Sequence, residues 1–128
     1  MEISTVVSNH LFVFITSYNG KKVNQDRVLI YLSDQTHSVL LAVFDGHGKD
    51  GHLVASFIRH SFLSEFSRHE QYPILDNVVS SLRMAETNLK THTNIDSKRS
   101  GCTANIGCIY HDCKGSLFYS SVFVGDSE

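Results

Sequence analysis

A chain of 128 residues is the size of one ordinary domain, which buries roughly two-thirds of its unfolded surface on folding. With 41% hydrophobic residues, 19% charged residues and a single proline, the composition excludes a disordered tail. The formal net charge of -2 excludes the basic surface of a nucleic-acid-binding domain. The first ten residues lack a basic stretch followed by an apolar run, so we expect no membrane segment and a cytoplasmic or nuclear location.

Three short apolar runs come first along the chain, and Gly, Asn, Asp or Ser residues separate them. Because they are rich in β-branched and aromatic residues, they predict strands over 10–16, 27–32 and 38–44. From Gly51 onwards the apolar residues fall mostly three or four apart. This spacing predicts an amphipathic helix with Asp50 as its cap.

A second helical pattern begins at Pro73 and continues to about Lys90. After a polar loop, the runs 102–110 and 116–124 predict two further strands joined by a turn around Asp112. Strands clustered around a helical pair predict an α+β fold with an antiparallel sheet. The last strand is uncharged and free of Pro, which is typical of a segment that self-associates when it is left uncovered.

Acidic residues stand at the ends of these predicted strands. Asp45 and Gly46 directly follow one strand, Asp26 precedes another, and Asp126 closes the last. Each acid alone is also typical of a plain turn, and this interpretation stays open for any one of them. Together, three carboxylates at strand ends predict a site of oxygen ligands suited to magnesium or manganese.

Four segments resemble, in order, the motifs of the PP2C family of metal-dependent protein serine/threonine phosphatases. They are Asn24-Gln25-Asp26, Val43-Phe44-Asp45-Gly46-His47-Gly48, Ser100-Gly101-Cys102-Thr103-Ala104 and Val124-Gly125-Asp126-Ser127. The second segment is the specific one. Its continuation through Gly51-His52 is similar to plant and protist members of the family.

The resemblance implies a β-sandwich flanked by helix pairs, in α-β-β-α layers, with two Mn²⁺ or Mg²⁺ ions at one end of the complete domain. It implies that Asp45 bridges both metals, that the Gly46 carbonyl holds one of them, and that Asp26 acts through metal-bound waters. His47 resembles the general acid that protonates the leaving Ser or Thr oxygen. The implied reaction is hydrolysis of phosphoserine and phosphothreonine by a metal-activated water.

Several positions depart from the family pattern, including Lys49 after Gly48 and Glu128 after Ser127. Gln25 is neutral where many members have Glu. Lys21, with Lys22 next to it, stands where many have an Arg that binds the substrate phosphate, so both lysines are candidate phosphate ligands. Two further metal-binding Asp residues of the family would lie beyond Glu128. We therefore expect residues 1–128 to be a partial phosphatase domain, poorly active alone, in a protein whose partner is a phosphoprotein substrate.

Two alternatives stay open. A non-catalytic PP2C-like module would bind a phosphoprotein or a kinase without hydrolysing it. A small zinc protein would use Cys108, His111 and Cys113, although a fourth ligand at conventional spacing is missing. The odd number of cysteines favours reduced thiols. The sequence predicts no oligomeric state.

Overall fold

The computed structural model describes residues 2–8, 11–17, 22–70, 74–92 and 94–125. These residues form seven strands and two helices. In chain order they are β1 (Glu2–Ser8), β2 (Leu11–Ser17), β3 (Asp26–Ser33), β4 (Ser38–His47), α1 (Gly51–Arg68), α2 (Ile74–Thr91), β5 (Gly101–Cys102), β6 (Ala104–His111) and β7 (Leu117–Val124).

All strand pairs are antiparallel. β1 and β2 pair with each other, and the remaining strands form a five-stranded sheet in the order β3-β4-β6-β7, with β5 against the far end of β4. The α+β prediction is confirmed. Strand β1 lies at residues 2–8, where no element was predicted from the sequence.

One long register joins β4 to β5 and β6. Val43 is opposite Asn105, Gly46 is opposite Cys102, and these two pairs belong to the same alignment of the strands. The single strand predicted over 102–110 is observed as two strands, β5 and β6, that continue in one register. It is interrupted at Thr103, whose N–H donates to the Asp45 carbonyl over 2.9 Å. This interruption lies beside the acidic end of β4.

The core lies between the helices and one face of the sheet. Alternate residues of β4, including Leu40, Ala42 and Phe44, are buried under α1. On α1 the buried positions recur every three or four residues, and the rings of Phe44 and Phe62 lie 6.2 Å apart between their centroids. Burial of each such ring contributes roughly 1.5–3 kcal/mol to folding. Within the ranges that the structure describes, neither helix combines the length and apolar character needed to span a membrane.

The start of α1 at Gly51 agrees with the prediction, but the cap does not. Asp50 occupies the N-cap position and its side chain makes no capping hydrogen bond. Its Oδ2 instead accepts the N–H of Asp96 over 3.3 Å, because the loop before β5 packs against this turn. The carbonyl of Asp50 accepts the N–H of Val54 over 2.9 Å and so begins the helix.

α2 also agrees with the prediction in extent, while Pro73 lies outside the described residues. Its buried face includes two polar residues that the apolar pattern did not reveal. Asn77 donates from Nδ2 to the carbonyl of Phe66 over 3.3 Å, and Ser81 donates to Oδ1 of Asn77 over 3.2 Å. These bonds satisfy polar groups that would otherwise destabilise the contact between the helices.

Candidate functional site

Asp26 and Asp45 lie directly opposite each other at one end of the sheet, where β3 begins and β4 approaches its last residue. An Asx turn presents Asp26, whose N–H donates to Oδ1 of Asn24 over 2.9 Å. Partial burial, together with the hydrogen bond to Asp45 and its negative charge, raises the pKa of Asp26 above its usual range. Two acids held in contact in this way favour a proton or a cation between them.

His47 shares the exposed face of β4 with Asp45, because side chains two residues apart on a strand point the same way. Gly101 is the cross-strand neighbour of His47 on β5, and Thr103 bonds to the Asp45 backbone. At the end of β7, a Cβ added to Gly125 would lie 2.8 Å from Cγ2 of Thr103. The fold thus brings described residues of all four sequence motifs to the same end of the sheet.

Gly46 lies where three backbone segments meet. Its N–H donates to the carbonyl of Gln25 over 3.2 Å, and a Cβ at this position would lie 2.3 Å from the carbonyl oxygen of Gly51. A side chain here would push the end of β4 away from both Gln25 and the start of α1. Close packing at the end of β4 therefore requires a glycine after Asp45.

Gly48 has a φ of 84°, which residues with a side chain rarely adopt. A Cβ on it would lie 2.4 Å from the carbonyl oxygen of Arg99. Next to this contact, the buried Ser100 hydroxyl accepts the N–H of Asp50 over 2.9 Å. The segment that precedes β5 therefore holds the turn between β4 and α1 in place.

Arg27 belongs to the site but was not predicted from the sequence. Its Nη1 donates to the carbonyls of Asp26 over 2.8 Å and Asn24 over 3.0 Å, and its Nε donates to Oγ of Ser56 on α1 over 2.8 Å. The guanidinium thus joins the first acidic segment to the helix that follows the second. An Arg next to an acidic motif is the only signal for this role in the sequence.

The donor set fits a hard cation. Two carboxylates in contact supply the oxygen ligands that magnesium and manganese prefer. Oε1 of Gln25, the residue before Asp26, is buried against Gly51 at the start of α1 and has no hydrogen-bond partner among the described residues. A buried acceptor of this kind is normally satisfied by water or an ion. No cluster of three or more His, Cys, Asp or Glu side chains occurs in the part of the chain that the structure describes.

Comparison with known proteins identifies the same family as these motifs do. Probable protein phosphatase 2C 41 of Arabidopsis thaliana is 28% identical over 116 residues, which cover 76% of this chain and 33% of the relative. Probable protein phosphatase 2C 64 of Oryza sativa subsp. japonica is 30% identical over 99 residues, covering 70% of this chain and 23% of the relative. The chain is similar to plant PP2C phosphatases.

A third PP2C sequence gives a shorter match with a higher identity. Probable protein phosphatase 2C 72 of Arabidopsis thaliana is 42% identical over 53 residues, covering 40% of this chain and 16% of the relative. No family model matches the chain. The chain spans about one third or less of the length of these PP2C relatives. The predicted resemblance to the PP2C family is confirmed.

Two further predictions for the PP2C-like site fall partly outside the structure. Lys22 is exposed four residues before Asp26, whereas Lys21 lies outside the described residues. Asp126 also lies outside them, directly after Gly125. The roles of both lysines as phosphate ligands and of Asp126 as a metal ligand stay predictions.

The zinc alternative is wrong for this PP2C-like chain. Cys108 is buried beneath the helices, while His111 lies an odd number of residues along β6 and so on the other face of the sheet. The three residues proposed as ligands form no metal-binding group. Cys102, Cys108 and Cys113 are all free, in agreement with reduced thiols.

Proposed function

We propose that this chain is part of a PP2C-type protein serine/threonine phosphatase and carries the first half of its metal site. The observation that carries the proposal is the contact of Asp26 with Asp45 at the end of the sheet where His47 also lies. Oxygen ligands and an imidazole at the same end of the sheet suit hydrolysis of a phosphate ester better than binding of a neutral ligand.

In this proposal Asp45, the Gly46 carbonyl and Asp26 would hold Mn²⁺ or Mg²⁺, as the resemblance implies. Such a cation, when bound, lowers the pKa of a bound water and neutralises charge on the phosphoryl oxygens. The chain's own residues supply the rest. Arg27 orients the first acidic segment through two carbonyls, and a ring nitrogen of His47 gives a proton to the leaving Ser or Thr oxygen.

We also propose that residues 1–128 belong to one partial PP2C-like domain, whose complete form is the layered sandwich of the family. The sheet face opposite the helices supports this, because it carries exposed apolar side chains such as Val43, Tyr119 and Phe123. A second sheet packed on this face would bury them. Phosphoprotein is the proposed substrate, and a cytoplasmic or nuclear location remains a prediction.

The alternative is a PP2C-like module that binds a phosphoprotein or a kinase without hydrolysis. It is favoured by the small number of acids at the site, since among the described residues only Asp26 and Asp45 meet there. Two divalent ions about 4 Å apart repel by roughly 16 kcal/mol at an effective dielectric of 20. Two carboxylates compensate this repulsion poorly, so the chain alone fits one cation better than two.

Manganese titration by calorimetry tests the metal site. We expect the chain to bind Mn²⁺ at one weak site, with a Kd on the order of 0.1–1 mM, and Asp45→Asn to abolish binding. Asp34→Asn is the matched control, because Asp34 is exposed in the turn at the opposite end of the β3–β4 pair. Two tight sites, or binding unchanged by Asp45→Asn, would contradict the assignment.

Phosphate release from a phosphothreonine peptide separates the enzyme from the module. With Mn²⁺ present, we expect the chain alone to be no faster than its Asp45→Asn variant. Joined to the remaining length of a PP2C relative, it should hydrolyse the peptide, and Asp45→Asn in the joined protein should not. A folded joined protein that binds the peptide without releasing phosphate would support the module instead.

A further inference from the structure

Gly101 and His47 are cross-strand neighbours, and the imidazole lies against the backbone of Gly101. A Cβ added to Gly101 would lie 2.8 Å from both Cε1 and Nε2 of His47, and 3.8 Å from Nδ1. Non-bonded carbon atoms are separated by about 3.5–4.0 Å at their optimum. The ring therefore occupies the space into which any other residue at position 101 would place its side chain.

We propose that Gly101 is a positioning residue for His47: the absence of a side chain allows the Cε1–Nε2 side of the imidazole to lie against β5, at the end of the sheet where Asp26 and Asp45 meet. This inference rests on the proposed function, because His47 transfers a proton only in that reaction. It gives the Ser100-Gly101-Cys102-Thr103-Ala104 segment a specific role, since no residue of this segment is assigned to metal binding or proton transfer. A proton donor needs a fixed place, since a displacement of about 1 Å can lower a rate a hundredfold.

The neighbouring glycines of the site have a different task. A Cβ on Gly46 would meet the backbone of Gly51, and one on Gly48 would meet the backbone of Arg99. Substitution at either position would therefore move the chain itself. At Gly101 the obstacle is the end of a side chain, which can swing aside while the strand stays paired. We expect Gly101→Ala to displace the His47 ring and to leave the fold intact.

Gly107 provides a matched control on the same sheet. It lies on β6, and a Cβ there would meet the ring of Tyr119, 3.0 Å from Cε2 and 3.1 Å from the hydroxyl. Both substitutions therefore place a methyl group against an aromatic ring from a neighbouring strand. Only Gly101→Ala does so at the candidate site.

The test uses nuclear magnetic resonance of the chain joined to the remaining length of a PP2C relative, with isotope-labelled histidine, because we expect the joined protein to stay monomeric. His47→Ala in this protein identifies the His47 signal. In the unsubstituted chain we expect a nuclear Overhauser contact between the His47 ring and the Gly101 Hα atoms. In Gly101→Ala the ring signal should move. In Gly107→Ala it should stay in place with its contact intact. A His47 signal that is the same in all three proteins would overturn the inference.

Unfolding of a double variant gives a second measurement that is independent of the first. If Gly101→Ala acts through the ring, its effect on the melting temperature should disappear in the His47→Ala background. This comparison holds even if Gly101→Ala alone folds poorly, because removal of the ring should then restore folding. Equal losses in both backgrounds would show that Gly101 serves the strand and not His47, and would overturn the inference.

Manganese separates this inference from the proposed function. Mn²⁺ bound at Asp45 should broaden the His47 signal, and Gly101→Ala should weaken this broadening while changing the Mn²⁺ affinity by less than about twofold. A loss of Mn²⁺ affinity of about tenfold in Gly101→Ala would mean that Gly101 supports the metal ligands Asp45 and Gly46, and would overturn the inference. If no protein binds Mn²⁺, the metal site of the proposed function fails, while the ring contact and the double variant still decide the role of Gly101.

Discussion

Asp26 and Asp45 face each other across the β3–β4 ladder with their side chains in hydrogen-bonding contact. Most opposed pairs in a sheet combine apolar or oppositely charged residues, because like charges at this position destabilise the ladder. Here the destabilising pair lies beside His47 on an exposed face. The like charges destabilise the metal-free fold, whereas the same two carboxylates favour binding of a cation. Measurements with and without metal therefore separate the two effects.

Asp26→Asn should stabilise the metal-free chain at neutral pH. The pKa of Asp26 is raised in the folded state, chiefly by burial and then by Asp45, so the folded chain binds more protons than the unfolded one just above pH 3.8. Stability contributed by the protonated acid is therefore lost as the pH rises through the folded pKa. Because Asp26 is exposed, we expect a gain in melting temperature of only about 1–2 °C.

Thermal melts of the metal-free chain at several pH values check this prediction. The gain for Asp26→Asn should be present at neutral pH and absent below the ordinary pKa of the carboxyl, where both proteins are neutral at this position. Asp34→Asn serves as the control for removal of a surface charge. A melting temperature that falls at neutral pH would mean that ionised Asp26 stabilises the metal-free fold, against our account of the pair.

Glu70 anchors the end of α1 to the sheet. The hydroxyls of Tyr31 and Ser33 both donate to its carboxylate, from Ser33 over 2.5 Å. Removal of one partner leaves a partly buried group unsatisfied, so we expect Tyr31→Phe and Glu70→Gln each to lower the free energy of unfolding by about 1–2 kcal/mol. Tyr119→Phe, at a residue that is 67% exposed, should change it by less than about 0.5 kcal/mol.

Denaturant unfolding measures these changes, and the double variant tests the contact itself. If Tyr31 and Glu70 act through one hydrogen bond, the double variant should lose less than the sum of the two single variants. Mn²⁺ affinity should be the same in all of them, since this contact lies at the end of β3 remote from Asp26. Strict additivity would count against the contact.

The Glu70 contact also shows what the sequence could predict and what it could not. The helix periods, the strand runs and the first two motifs are local patterns, and they predicted both helices, the strands other than β1, and Asp26 and Asp45 at strand ends. Tyr31 and Glu70 are separated by 39 positions, and their contact depends on how α1 lies on the sheet. No spacing rule predicts such a pair.

The same limit applies within the candidate site. The Asp-Gly-His-Gly segment was predicted as functional from its residues, but the packing around each glycine depends on neighbours that only the fold supplies. Gly101 is required by His47 on another strand, and Asp50 bonds through its side chain to Asp96 instead of capping α1. Cross-strand register and loop packing decide these contacts, and both depend on the whole chain.

Cys108 should make the chain less stable at alkaline pH. Burial raises the pKa of its thiol from 9.0 to about 11, so the folded state retains a proton that the unfolded state has lost. The stability that the neutral thiol contributes is present below pH 9.0 and is lost as the pH rises through about 11. Cys108→Val, which has no group to titrate, should reduce this alkaline decline.

Denaturant midpoints between neutral pH and pH 11 provide the measurement. Cys113→Val is the matched control, because Cys113 is exposed in the turn between β6 and β7 and its substitution should leave the alkaline decline unchanged. Burial, with a smaller effect of the Asp45 charge, raises the pKa of Cys102 to about 11 as well, so part of the decline should persist in Cys108→Val. A decline equal in all three proteins would refute the assignment to buried thiols.

β7 should cause the chain to self-associate. Leu117, Tyr119 and Phe123 lie on the sheet face opposite the helices and are 65%, 67% and 54% exposed. β7 is also the last strand in the order of the sheet, and its sequence contains no charge and no Pro. Exposed apolar faces and uncharged edge strands pair readily with other chains. We therefore expect the purified chain to form oligomers or aggregates at micromolar concentration.

Light scattering after size-exclusion chromatography measures this self-association, and two lysine substitutions locate it. Phe123→Lys places a charge on the exposed face beside the edge of the sheet, where charges oppose strand pairing, so it should shift the chain towards a monomer. Met84→Lys is the matched control, because Met84 is 47% exposed on α2 and its substitution adds the same charge away from β7. Extension of the chain with the remaining length of a PP2C relative should rescue a monomer without any substitution, since a second sheet would then cover the same face. A stable monomer with a cooperative melting transition in the unsubstituted chain would contradict the prediction and would favour the small binding module over a partial enzyme.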